Sequence, residues 1–90
     1  MLHQLFKIIE DRKANPTEKS YTARLFAEGE DRILQKVGEE AVEVILAAKG
    51  QGRQRIIEET ADLFYHTLVM LSAKGITIDD IEAELRQRHQ

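Results

Sequence analysis

The chain has no cysteine, no tryptophan and one proline among its 90 residues. Without thiols there is neither a disulfide framework nor a thiolate zinc site, which fits a reducing compartment. The lone proline, Pro16, leaves the rest of the chain free to be helical, because proline is the strongest helix breaker. No apolar run approaches the roughly 20 residues of a bilayer-spanning helix, so no membrane partner is expected. Leu2 to Ile9 reads as the start of an amphipathic helix rather than an export or targeting segment, and the expected location is cytoplasmic. A polybasic tract is also missing. With a net charge of −3 and a pI near 5.6, a nucleic-acid polymer is excluded as the expected ligand. What is present is the composition of an ordinary soluble domain, 42% hydrophobic and 32% charged. At 90 residues it reads as one domain, residues 1–90, too small for a large core of its own, so that a partner is expected to complete it.

Helical periodicity runs through the chain, and no strand-like alternation of useful length interrupts it. A first helix is predicted from about Leu2 to Lys13, with Leu5, Phe6, Ile8 and Ile9 on its apolar side, ending at Asn15-Pro16. Ser20 is a plausible N-cap for a short helix through Ala27, with Gly29 at its end. Two long helices follow, about Glu30 to Lys49 and Arg53 to Lys74, separated by Gly50-Gln51-Gly52. Gly75 ends the second, and Thr77 with Asp80 forms a capping-box pattern for a last helix to about Arg88. The expected fold is therefore all-α, a helical bundle around a central antiparallel pair. On both central helices the apolar arc is wider than one neighbour can cover, which points to completion by dimerisation. Gly38, where alanine would favour the helix by about 1 kcal/mol, suggests close approach of another group to the backbone.

The central pair carries the chemistry. Each helical residue advances about 1.5 Å, so residues equally distant from Gln51 stand at equal heights on the two helices. Glu43 and Glu59 are each eight residues from that pivot, Glu40 and Asp62 eleven, and Lys36 and His66 fifteen. By phase, Arg32, Lys36, Glu39, Glu40 and Glu43 share one stripe, and Arg55, Glu59, Asp62 and His66 share another. Packed helix axes lie roughly 8–10 Å apart, a gap that facing carboxylates fill when cations sit between them. Oxygen-only donors suit magnesium or manganese. Asp62 stands out because it interrupts the apolar run from Ala61 to Leu71, where an unpaired buried charge would be costly.

Every amphipathic helix has a polar face, and a solvated row of glutamates is the competing reading. A snorkelling lysine and a satisfied core-edge histidine are the corresponding readings of Lys36 and His66. Ser20, Tyr21, Thr22 and Arg24 offer donors suited to phosphate, although capping and surface roles explain them equally well. A carboxylate-bridged di-iron bundle is disfavoured, because His66 follows Asp62 by four residues and Glu59 by seven, not by the three of a Glu-x-x-His pair.

Lys36-Val37-Gly38-Glu39-Glu40-Ala41-Val42-Glu43-Val44 and Glu58-Glu59-Thr60-Ala61-Asp62-Leu63-Phe64-Tyr65-His66 resemble the phosphoribosyl-ATP pyrophosphatase family. The broader pattern, two adjacent Glu, a third after two residues, then Glu-x-x-Asp, is similar to that of the MazG-like all-α nucleotide pyrophosphohydrolases. Ser20-Tyr21-Thr22, Lys36-Val37-Gly38 and Asp62-x-x-Tyr65-His66 narrow the resemblance to the histidine-pathway branch. It implies hydrolysis of phosphoribosyl-ATP to phosphoribosyl-AMP and pyrophosphate, with Mg2+ as cofactor and Mn2+ as an alternative, in a homodimer or higher homo-oligomer. By the same resemblance Glu40, Glu43, Glu59 and Asp62 are expected as metal ligands, and Glu39 as the water-orienting base or a further ligand. Ser20, Tyr21 and Lys36 are expected at substrate phosphate or ribose, with His66 at the substrate or just behind it. A house-cleaning pyrophosphohydrolase of other nucleoside triphosphates, using the same cluster, is the alternative.

Overall fold

Each interruption of the helical pattern falls at a residue whose backbone or side chain ends a helix. The computed structural model describes all 90 residues, which form five helices joined by short connections: α1 (Leu2–Ala14), α2 (Tyr21–Glu28), α3 (Glu30–Gly50), α4 (Arg53–Ala73) and α5 (Ile78–Arg88). The expected boundaries hold to within one residue. Ser20 caps α2 by accepting from the Ala23 amide, 3.1 Å away. Gly29 (φ 104°) closes α2 and opens α3, and Gly52 (φ 90°) opens α4, both in a region that L side chains rarely adopt. At the end of α4 the amide of Gly75 bonds to Ser72 and that of Ile76 to Leu71, the paired closure of a Schellman motif. Thr77 and Asp80 exchange capping hydrogen bonds at the start of α5.

α3 and α4 form the most extensive pairing, an antiparallel hairpin turning at Gln51. The core does not run along its length. Phe6 and Ile9 of α1, Leu25 of α2, Ile33 of α3, and Leu68, Val69 and Leu71 of α4 gather at the end away from the turn. Burying side chains such as Ile9, Leu25 and Val69 contributes about 1.5–3 kcal/mol each. Polar ties support this end: Lys13 Nζ donates to the Ser72 carbonyl at 2.7 Å, and Ser72 Oγ to Glu10 at 3.1 Å. α5 buries no residue and is held to α1 partly through His3, 3.1 Å from both Asp79 and Glu82.

Toward the turn, apolar side chains lie open: Val42, Ile45, Leu46, Ile57 and Phe64 are all exposed. The radius of gyration is 14.2 Å, against about 12 Å for a compact 90-residue chain. No helix is long and apolar enough to cross a membrane.

Gly38 departs from expectation. A methyl group built there meets nothing within 4 Å, so no part of the chain approaches it. Its position on an exposed stretch of α3 is the reason: the neighbouring helix packs on another side. Gly38→Ala is therefore expected to raise stability in urea denaturation by up to about 1 kcal/mol through helix propensity alone. A loss of stability would reveal a neighbour from outside the chain.

Candidate metal centre and substrate site

The facing stripes of α3 and α4 converge on Glu40, Glu59 and Asp62, whose carboxylate oxygens lie within 4.8 Å of one another. Opposite ligands of a magnesium ion stand about 4.2 Å apart, so small side-chain rotations would close the set. An all-oxygen set drawn from two rigid helices fits a hard divalent cation.

The sequence leaves open which carboxylate of this cluster is buried. Asp62, inside the apolar run, is exposed; Glu59 is the buried carboxylate, 6% accessible. The rotation of α4 decides it, since the helix turns His66, Val69 and Ser72 inward and leaves Ala61, Asp62 and Phe64 on its open side. Glu59 is neutralised by Arg55, whose Nη2 lies 2.5 Å from Glu59 Oε1 while its Nη1 lies 2.6 Å from Glu58 Oε1. Hydrogen bonding to Glu58, then the charge of Glu59, raises the Arg55 pKa further, with a smaller contribution from Glu43. Glu43 is not one of the converging trio.

Lys36 is the cation of the α3 stripe. Its Nζ is 3.2 Å from Glu40 and 3.8 Å from Glu39, whose carboxylate also lies 3.8 Å from Arg32. Burial pulls the ammonium pKa down, but the Glu40 hydrogen bond and the fields of Tyr21, Glu40 and Glu39 outweigh it, leaving the pKa raised. Lys36 is therefore a fixed positive charge. Glu39 is exposed at the edge of the stripe.

α2 closes the other side through aromatic residues. Tyr21 Oη is 3.1 Å from Nε2 of His66, a buried ring, and His66 Nδ1 is 2.8 Å from the Asp62 carbonyl. A carbonyl only accepts, so Nδ1 carries the proton; in the neutral ring Nε2 then accepts from the Tyr21 hydroxyl. His66 does not reach the carboxylate trio with its ring nitrogens; it links Tyr21 to the backbone of Asp62. Behind it Tyr65 and Thr22 share a hydroxyl–hydroxyl hydrogen bond, and burial first of all raises the Tyr65 pKa. Ser20 sits at the N-terminus of α2, where capping occupies an acceptor site of its hydroxyl and leaves the O–H to donate.

Two features escaped the sequence. Arg55 and Glu59 are spaced i,i+4, which signals a pair, but nothing in the spacing announces that Glu59 is buried there. Thr22 and Tyr65 lie 43 residues apart, and no local pattern joins them.

Five helices without a strand, carrying an oxygen-only donor cluster on a facing pair, define the class: an all-α domain with a candidate cation site. The chain belongs to the phosphoribosyl-ATP pyrophosphohydrolase family, whose model, described as "Phosphoribosyl-ATP pyrophosphohydrolase", matches residues 2–89. It is 56% identical over 88 residues to a phosphoribosyl-ATP pyrophosphatase of Geotalea daltonii, covering 98% of this chain and 83% of that one. It is 51% identical over 90 residues to the phosphoribosyl-ATP pyrophosphatase of Clostridium acetobutylicum, covering 100% and 82%. With the phosphoribosyl-ATP pyrophosphatase of Limosilactobacillus fermentum it shares 53% identity over 87 residues, covering 97% and 82%.

The half-buried hydroxyl pair of Thr22 and Tyr65 gives a stability test. Tyr65→Phe leaves the Thr22 hydroxyl without its partner and is expected to lower the urea-unfolding free energy by about 1–3 kcal/mol. Adding Thr22→Val should recover most of that loss, since removing both partners leaves nothing unsatisfied.

Proposed function

We propose that this chain hydrolyses phosphoribosyl-ATP to phosphoribosyl-AMP and pyrophosphate, the second step of histidine biosynthesis, with Mg2+ as cofactor and Mn2+ able to replace it. Membership of the family supports the substrate, and the convergence of Glu40, Glu59 and Asp62 is the observation that carries the chemistry. In this reading Glu40, Glu43, Glu59 and Asp62 hold the cation. When bound, it supplies charge neutralisation for the triphosphate and lowers the pKa of the attacking water. Glu39, exposed at the edge of the cluster, orients that water and takes its proton as the α–β anhydride bond breaks and pyrophosphate departs with the bonding electron pair. Lys36 keeps a positive charge beside the polyphosphate. Ser20 donates its free O–H to a phosphate oxygen. Tyr21, its proton committed to His66, suits a ribose hydroxyl that can donate to it, and His66 holds it there. A cytoplasmic location belongs to the same reading.

A homodimer completes the fold in this proposal. The accessible surface of 6287 Å² exceeds the roughly 5,400 Å² typical of a 10.3 kDa monomer, an excess close to the ~800 Å² that each partner buries in a standard interface. The exposed row Val42, Ile45, Leu46, Ile57 and Phe64 is the apolar surface such contact would cover. Light scattering after gel filtration should give about twice the chain mass, and Ile45→Asp should return it to the monomer value.

Pyrophosphate release from phosphoribosyl-ATP tests the activity, measured with and without Mg2+ beside ATP and dUTP. Release should require the cation and strongly favour phosphoribosyl-ATP. Glu59→Gln should reduce it about 100-fold or more, a loss of about 2.7 kcal/mol or more of charge stabilisation at 1.36 kcal/mol per decade. Turnover mainly of ATP or dUTP would move the chain to the house-cleaning class, and no release from any of the three would end the hydrolase reading.

A further inference from the structure

Arg55 is the one cation that reaches the buried carboxylate of the cluster, and the mechanism above gives it nothing to do. Its guanidinium is half exposed, 48% at the side chain, whereas Glu59 is almost fully enclosed, 8%. The same Glu59 carboxylate belongs to the converging trio with Glu40 and Asp62. A guanidinium hydrogen-bonded to Oε1 already draws on the single negative charge that the Glu59 carboxylate would offer a cation in the trio, and the two positive charges repel. Arg55 and a divalent cation therefore compete for it. The second arm of Arg55 rests on exposed Glu58, so the guanidinium can swing on its solvent-side stem without disturbing the buried face of α4. Once released it is a permanently charged planar fork beside a polyphosphate site, the geometry that matches phosphate oxygens bidentately.

We propose that Arg55 is a further substrate-binding residue: it rests on Glu59 while no divalent cation is bound, yields that carboxylate to the cation, and then pairs with a substrate phosphate. The proposal rests on the hydrolase reading for its second half only. Its first half is a binding competition that needs no substrate.

Mn2+ alone is the first probe, titrated calorimetrically into the wild type, Arg55→Met and Arg55→Lys. Methionine keeps the apolar stem and removes the competitor, so Mn2+ should bind roughly fivefold more tightly; lysine, which keeps a charge but loses the fork, should fall between. Steady-state kinetics with phosphoribosyl-ATP is the second probe. KM should rise about tenfold or more in both variants, with kcat changing less. Unchanged or weakened Mn2+ binding in both variants would overturn the exchange and leave Arg55 as a support that orients Glu59. Tighter Mn2+ binding with an unchanged KM would overturn the phosphate contact. If the wild type fails to turn over phosphoribosyl-ATP while Mn2+ still binds more tightly to Arg55→Met, the hydrolase reading fails and the exchange stands.

Discussion

The structure turns on one buried charge. Glu59 is enclosed between α3 and α4, and a carboxylate in that position must be matched by a cation or protonated. That requirement fixes what surrounds it. Arg55, one turn earlier on α4, supplies the cation within the chain, and Glu40 on α3 and Asp62 on α4 bring further oxygens to the same point. Lys36 anchors Glu40 in the same way that Arg55 anchors Glu59, each pair spaced by one helical turn. Each facing stripe thus runs from cations to carboxylates along its own helix, and the two stripes are held apart by the distance between packed helices.

The helices were legible in the sequence because each end is written locally: Asn15-Pro16, Ser20, Gly29, the Gly50-Gln51-Gly52 break, Gly75 and the Thr77–Asp80 box all act within a few residues. The meeting of Glu40 with Asp62 was legible too, because height along a helix is simple counting. Which carboxylate is buried was not. That depends on how far α4 is rotated about its axis when Leu68, Val69 and Leu71 dock on α1 and α2, a tertiary quantity that the sequence pattern of α4 alone leaves open. The same holds for Tyr21 with His66 and Thr22 with Tyr65, pairs joined only when α2 folds back onto α4. At Gly38, where an unfavourable helix residue implies a close neighbour, the chain itself provides none.

The division of the fold into a packed end and an open end places the site where it can be both held and reached. Ile9, Leu25 and Val69 fix α1, α2 and the C-terminal half of α4 to one another, and this rigid end carries Tyr21 and His66. From there the hydrogen bond of His66 to the Asp62 carbonyl continues the ordered structure into the trio. The trio itself lies toward the hairpin, where packing thins and Asp62 is open to solvent. Charge follows the same gradient. Five carboxylates, Glu39, Glu40, Glu43, Glu59 and Asp62, are accompanied by three cations, Arg32, Lys36 and Arg55, each paired with a carboxylate of its own helix. The excess of negative charge is concentrated at the accessible end, so the field draws cations to the place where the donors are already gathered. Any polyphosphate approaching the site meets that same negative field, and its binding therefore depends on positive charge arriving first or being released from the carboxylates that hold it.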